Sequence, residues 1–294
     1  MSETQTAMKV SGFTFLRNGE VLGYPFVESL KSLLLVCDEV IVALGQGEDN
    51  TRALVEGIGD PRIRIIDTTW NEKMTDRGYV YAQQKMIAQF NCSGDWAFYL
   101  EGDEIIHEDD APKIRAAMEK HLHNPEVEAL AFDYLHFYGC PDLVAQSPAW
   151  YRRAPRVIRN TIRSWAPDGL FWVVMDKNKR GRYPRAALAG CPLYHYGHVR
   201  SAEKMNEKNR QVSKYWKHEA KPHRYNQIDA SILQPFKGRH PAGVQQWLKD
   251  YAEASFTPDP SYQLSKRERR HRRMMVLERW LGRDLTKKHY VLVD

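Results

Sequence analysis

Cysteine is scarce in this chain: four among 294 residues, at Cys37, Cys92, Cys140 and Cys191. They form no Cys-x-x-Cys pair and no dense array, which excludes a disulfide-scaffolded secreted module and favours reduced thiols in a cytoplasmic setting. Long apolar runs are also missing. The most apolar stretch, from Leu33 to Leu44, is broken by Asp38 and Glu39 and falls short of the ~20 residues a membrane span requires. The opening Met-Ser-Glu-Thr-Gln-Thr-Ala has neither a basic n-region nor an apolar h-region, so no signal peptide is expected. There is no internal repeat, no low-complexity linker and no nucleic-acid-binding motif, so no nucleic-acid partner is expected.

What remains is an ordinary globular composition with 43% hydrophobic residues, enough for a substantial core. A net charge of +6 and a pI near 9.0 favour phosphate-bearing ligands or anionic surfaces. The apolar pattern alternates strand and helix: strands at Met8 to Phe15, Glu39 to Leu44, Arg62 to Asp67 and Asp95 to Leu100, with helices at Tyr24 to Leu34, from Thr51, and at Tyr79 to Asn91. This order predicts an α/β fold with a mainly parallel, doubly wound sheet flanked by helices. Further strands are expected at Ala129 to Tyr134 and Leu170 to Val174, and a polar helix at Ser201 to Lys217. The expected division is a catalytic domain over residues 8–200 and a mostly helical extension over 201–294.

In open α/β sheets ligands bind at the carboxyl ends of strands, and the fourth strand ends in Glu101-Gly102-Asp103-Glu104. Three carboxylates at such an end suit a hard divalent cation that bridges protein oxygens and a diphosphate; an acidic helix start fits the same residues. His195 and His198, in Tyr-His-Tyr-Gly-His-Val-Arg, are candidate imidazole ligands for Mn²⁺ or Mg²⁺, or plain core residues. Asp168 in Pro-Asp-Gly is the leading candidate base, although that tripeptide is also a turn signal. Asp133 is the reserve base. Trp165 and Trp172 are candidate sugar platforms or core. Arg17-Asn18 and Glu48-Asp49 follow the first two strands and are placed to meet a nucleotide, while Arg152, Arg153, Arg156 and Arg159 either receive an anionic acceptor or face solvent. The basic run Lys266 to Arg273 precedes Met274, Met275, Val276, Leu277, Trp280 and Leu281. That join suits peripheral contact with anionic lipid on the inner face of the cytoplasmic membrane, or a basic helix docked by its apolar side.

Taken together, Phe-Leu-Arg-Asn-Gly (15–19), Cys-Asp-Glu-Val-Ile-Val (37–42), Gly-Glu-Asp-Asn-Thr (47–51), Ser-Gly-Asp-Trp (93–96), Leu-Glu-Gly-Asp-Glu (100–104), His-Phe-Tyr-Gly (136–139), Tyr-His-Tyr-Gly-His-Val-Arg (194–200) and Lys-Gly-Arg-His-Pro (237–241) resemble the GT-A glycosyltransferases. The likeness is to family-two-like bacterial enzymes of lipopolysaccharide, capsule and related glycans. It implies the GT-A fold and transfer of a sugar, with inversion, from a nucleotide-sugar donor to a hydroxyl of a glycan or lipid-linked glycan. Glu101 and Asp103 then correspond to the family's Asp-x-Asp metal and diphosphate motif, and His195 to the histidine that completes the site. Leu44 stands where many relatives have an aspartate against the nucleobase, so UDP is only the default donor nucleotide, with Asp49 or Asn18 as substitute contacts. A nucleotidyltransferase and a non-catalytic carbohydrate- or partner-binding module are the alternatives.

Overall fold

The computed structural model describes residues 7–217, 219–253 and 255–293; residues 1–6, most of the segment read above for an export signal, lie outside them, as does Asp294. Strand and helix alternate as the periodicity predicts, with slightly shifted ends: β1 (Val10–Leu16), α1 (Phe26–Leu33), β2 (Glu39–Gly45), α2 (Thr51–Glu56), β3 (Ile63–Thr68), α3 (Tyr79–Phe90) and β4 (Trp96–Tyr99). These strands lie in the order β3-β2-β1-β4, all parallel. Val40 to Leu44 are buried without alternation, as expected for a strand covered on both faces. On one face Val40, Val42, Phe98 and Phe132 pack with Leu30 of α1; on the other Phe13, Ile41, Ala97 and Tyr99 pack with Ala88 of α3 and Trp172. Each Val, Ile, Leu or Phe among them contributes about 1.5–3 kcal/mol by burial.

Beyond β4 the sheet becomes mixed. After β5 (Glu104–Ile105) and α4 (Ala111–His121) come β6 (Ala129–Tyr138), β7 (Cys140–Ala145) and β8 (Arg153–Arg159). β8 lies between β4 and β6, antiparallel to both, and β7 folds back on the end of β6. The single residue between β6 and β7 permits only antiparallel pairing, and with β8 antiparallel to both its neighbours the doubly wound pattern stops here. A small separate sheet joins β9 (Ser164–Trp165), β10 (Val173–Met175) and β11 (Gly181–Arg182), and β12 (Arg185–His198) then runs parallel along the other edge of β6.

The segment after residue 200 is woven into the same body. It holds α5 (Ala202–Ser213), β13 (Leu233–Pro235), α6 (Gln245–Tyr251), α7 (Lys266–Leu281) and β14 (Val291–Leu292). β13 pairs with β7 and β14 with β12, inside the main sheet. Among the described residues no helix is long and apolar enough to cross a membrane.

Candidate active site

Two strand registers build the site. β5 pairs antiparallel with β12 so that Glu104 lies opposite His195, and the Tyr196 amide donates to the Asp103 carbonyl at 2.8 Å. β12 in turn sets His195 opposite His136 on β6. Asp103, His195 and His136 are thereby brought together by backbone pairing at the carboxyl end of β4.

Asp103 is buried, and its Oδ2 accepts from Arg200 Nη2 at 3.1 Å and Lys208 Nζ at 3.3 Å, while His195 Nε2 stands 3.6 Å from Oδ1. Burial opposes ionisation, but Lys208, His195 and Arg200 outweigh it and hold the carboxyl well below its usual range. Glu101 behaves in the opposite way. Burial, and then the charge of Glu104, push it up to about 7 against the pull of Arg156. Arg156 is fully buried and donates to Glu101 Oε1 at 2.8 Å, to Glu104 Oε1 at 2.6 Å and to Glu104 Oε2 at 2.8 Å. Glu104 also accepts from Tyr134 Oη at 2.8 Å and from the Glu101 amide at 3.1 Å. Its carboxylate is therefore saturated inside the protein, and of the three acidic neighbours only Glu101 and Asp103 reach the cleft.

The histidines assign their own protons. His136 Nε2 lies 2.7 Å from the Tyr151 carbonyl, which can only accept, so the proton of His136 sits there. Burial, and then His195, lower its pKa to about 3, so a bare Nδ1 faces His195 Nδ1 at 2.8 Å. His195 must donate from Nδ1. Its Nε2 is directed at Asp103 Oδ1: protonated, it donates to that carboxylate, and deprotonated it would offer a lone pair to a cation held by the two. A Cβ on Gly197 would stand 2.5 Å from His195 Nε2 and 3.0 Å from Asp103 Oδ2, so this glycine keeps the space between them open. An imidazole nitrogen and a carboxylate oxygen across an open gap fit a divalent cation, with Glu101 the neighbouring carboxylate.

Glu101 does not join Asp103 and His195 at three-ligand spacing. Among the described residues that spacing occurs at His107, Glu108 and Asp109, where Arg239 donates to Glu108 at 2.8 Å and to Asp109 at 2.7 Å. His198 is not brought to the carboxylates either. It is half-buried among the rings of Tyr138, Trp150 and His223 after a register shift in β12, and desolvation, then Lys208, lower its pKa well below the usual range.

A cavity of about 460 Å³ opens beside Asp103, within the size range of small-ligand sites. Leu16, Arg17 and Asn18 line it from the end of β1, Tyr99, Glu101 and Asp103 from the end of β4, and Lys208, Gln211 and Tyr215 from α5 and the turn after it. One wall is aromatic: Trp70, Tyr81 and Tyr215 meet with ring centroids 5.4–5.8 Å apart. Arg17 lies over Trp70, donates to the Gln46 carbonyl at 3.0 Å and pairs with Glu72. Lys214 and Tyr215 also donate to Glu72, and against the effect of burial Lys214, Arg17 and Tyr215 lower it to about 2. Asn18 adopts φ +54° and accepts from the Glu48 amide at 3.1 Å.

Several expected residues do other work. Asp49 accepts from the amides of Glu20, Val21 and Thr51 at 3.0–3.1 Å, so it ties the β1–α1 loop to the start of α2 and is absent from the cavity wall. Asp133 lies on the face of β6 opposite Tyr134 and His136, by the two-residue period of a strand, and pairs with Arg153 at 2.5 Å. It cannot serve as a base at this site. Arg152 pairs with Glu278 and Asp284, and Arg159 donates to the carbonyls of His121, Leu122, Asn124 and Val127. With Arg156 on Glu101 and Glu104, each of the four arginines already has partners within the protein. Trp172 is fully buried and donates to Gln89 at 2.7 Å, so it is core.

Asp168 sits on a loop whose next residues, Gly169 and Leu170, line the cavity. Its Oδ1 accepts from the Leu170 amide at 2.8 Å, a local turn bond, and among the described residues Oδ2 has no hydrogen-bond partner. The loop is anchored from below by Lys85, which donates to the Gly169 carbonyl at 3.3 Å and lies between the rings of Tyr99 and Trp172 at 4.0 and 3.9 Å. Burial, then Arg156, lower the pKa of Lys85 well below the usual range.

No protein-family model and no curated protein sequence matches the chain. Among solved structures it is similar to S. aureus TarS 1–349, with a TM-score of 0.39 and 16% identity over 71% of this chain and 55% of that one. The same protein in complex with UDP-GlcNAc gives 0.37 and 18% over 52% and 46%. Glucosyl-3-phosphoglycerate synthase from Mycobacterium tuberculosis, in complex with Mn²⁺, UDP and phosphoglyceric acid, gives 0.31 and 17% over 44% of each chain. The chain thus spans about half the length of the solved structures it matches.

Proposed function

We propose that the chain is a metal-dependent glycosyltransferase that moves a sugar from a nucleotide-sugar donor, with UDP the default nucleotide, to a hydroxyl of a glycan or lipid-linked glycan with inversion. The observation that carries this reading is the pairing of Asp103 with His195 across a gap kept open by Gly197, at the mouth of a cavity with one aromatic and one cationic wall. Asp103 and His195, with Glu101, are the residues that would hold Mn²⁺ or Mg²⁺. Bound there, such a cation supplies Lewis-acid stabilisation of the departing diphosphate.

The remaining roles fall to side chains of the cavity wall. Lys208 adds fixed positive charge toward the diphosphate, Trp70 and Tyr215 offer flat surfaces to the base, and Arg17 and Asn18 supply polar contacts to the nucleoside. Asp168 takes the proton of the attacking hydroxyl through Oδ2, while its turn bond and Lys85 hold the loop in place.

Calorimetric titration of nucleotide sugars, with and without Mn²⁺, tests the reading on the wild type and Asp103→Asn. Metal-supported donor binding that the substitution abolishes is the expected result, together with release of nucleoside diphosphate on turnover. Consumption of nucleoside triphosphates without that release would favour a nucleotidyltransferase. Donor binding unchanged in Asp103→Asn would favour a non-catalytic binding module.

A further inference from the structure

The helix α7 docks by polar contacts and leaves its apolar side outward. Its start is fixed by a capping box in which Ser265 Oγ accepts from the Glu268 amide and Glu268 accepts from the Ser265 amide. Facing the protein, buried Glu278 takes Arg152 at 2.6 Å, Arg272 pairs with buried Asp229 at 2.6 Å, and Met275 packs near Tyr138, Met205 and Ile232. Helical spacing sets Arg269, Arg273, Val276, Leu277 and Trp280 on the opposite face. There Trp280 is 81% exposed and Val276 64%, with Leu277 and Leu281 also exposed. The amino-terminal half of that face is cationic, and among the described residues Lys266, Arg269, Arg270 and Arg273 have no carboxylate partner.

We propose that this face of α7 seats the protein on an anionic phospholipid bilayer. Trp280, Leu277, Val276 and Leu281 enter the boundary between headgroups and acyl chains, and Lys266, Arg269, Arg270 and Arg273 lie along lipid phosphates. An amphipathic helix with a basic stretch and a tryptophan at its apolar end has the chemistry of interfacial binding. Charge selects the occupant. A two-fold contact between copies of this chain would set these cations against one another if the helices ran parallel, or against the apolar half if antiparallel, with no carboxylate on the face to pair them; anionic headgroups supply the opposite sign along the whole face. The inference is independent of the reaction proposed above.

Flotation of the full chain with vesicles of phosphatidylcholine containing about 30% phosphatidylglycerol, against phosphatidylcholine alone, is the test. Flotation with the anionic vesicles only is expected. It should fall at least about tenfold in Trp280→Ala/Leu277→Ser and in Arg269→Gln/Arg273→Gln, and fall with added salt. All four positions are exposed, so melting temperature and donor binding, measured on the same samples, should stay at the wild-type values. No flotation with anionic vesicles, equal flotation with both vesicle types, or wild-type flotation of Trp280→Ala/Leu277→Ser overturns the proposal. So does a concentration-dependent dimer that Trp280→Ala abolishes in a protein that does not float.

Discussion

His195 Nε2 and Asp103 Oδ1 face each other across 3.6 Å, and the orientation of the imidazole is imposed from behind by His136. Because His136 gives its proton to the Tyr151 carbonyl, it can only accept from His195. A neutral His195 therefore turns its Nε2 lone pair toward the cleft. Partners of this kind behind a metal-ligating histidine typically carry a 10- to 100-fold effect on metal affinity, roughly.

His136→Phe removes that acceptor while keeping a flat ring beside Tyr134 and Tyr151. Mn²⁺ affinity, read by calorimetry, should fall by about tenfold or more, with metal-free nucleotide binding unchanged. Wild-type Mn²⁺ affinity in this variant would mean that His195 does not bind the cation through Nε2.

Gly197→Ala tests the gap itself. The added Cβ lands 2.5 Å from His195 Nε2 and 2.7 Å from Cε1, so the imidazole must shift or the strand must give. A stability loss of about 1–3 kcal/mol is expected from overpacking, along with loss of Mn²⁺-supported donor binding. Retained metal binding with only the stability loss would place the cation elsewhere.

The reach of the sequence follows from the range of its signals. Strand and helix periods are local, so β1 to β4 and the position of Glu101 and Asp103 at a strand end are legible from Val40 to Leu44 and Trp96 to Tyr99 alone. Pairing between distant strands leaves no local trace. His136 opens the His-Phe-Tyr-Gly segment beyond the strand expected at Ala129 to Tyr134, and only its register with His195 gives it a role. Lys208 lies in a polar helix without an apolar period to orient it, so its ion pair with Asp103 is invisible in sequence. The same limit hides other pairings: Asp49, Asp133 and the four arginines have suitable chemistry, and the partners they take in the fold leave no local mark in the sequence. Tyr81 and Tyr215 carry a weak signal as aromatics in otherwise polar surroundings.

Arg156 holds two carboxylates at once, and it is buried with no route to solvent compensation. Arg156→Met should therefore destabilise the fold by about 3–5 kcal/mol, since it strands Glu104 as a buried charge. Adding Glu104→Gln should recover part of that loss, because the second substitution removes the stranded charge. Urea unfolding of the single and double variants measures both. A double variant less stable than Arg156→Met would show that the bonds from Tyr134 Oη and the Glu101 amide already compensate the Glu104 charge without Arg156.

The pH dependence of stability carries a signature of His136. Its pKa is about 3 in the folded protein, against about 6.5 in an unfolded chain, so between those values the unfolded state binds the extra proton. The sign follows: this contribution to stability is complete above about pH 6.5 and is lost as pH falls toward 3, at about 1.4 kcal/mol per pH unit at most. Burial lowers His121, His198, His223, His240 and His289 as well, which steepens the acid limb of the whole protein. Urea unfolding at intervals from about pH 7.5 to pH 5 should show stability falling with acid in the wild type, and falling less steeply in His136→Phe by the contribution of that one group. Equal slopes in the two proteins would mean that His136 is already protonated in the native state, and the chain of donors that orients His195 would then run in the opposite direction.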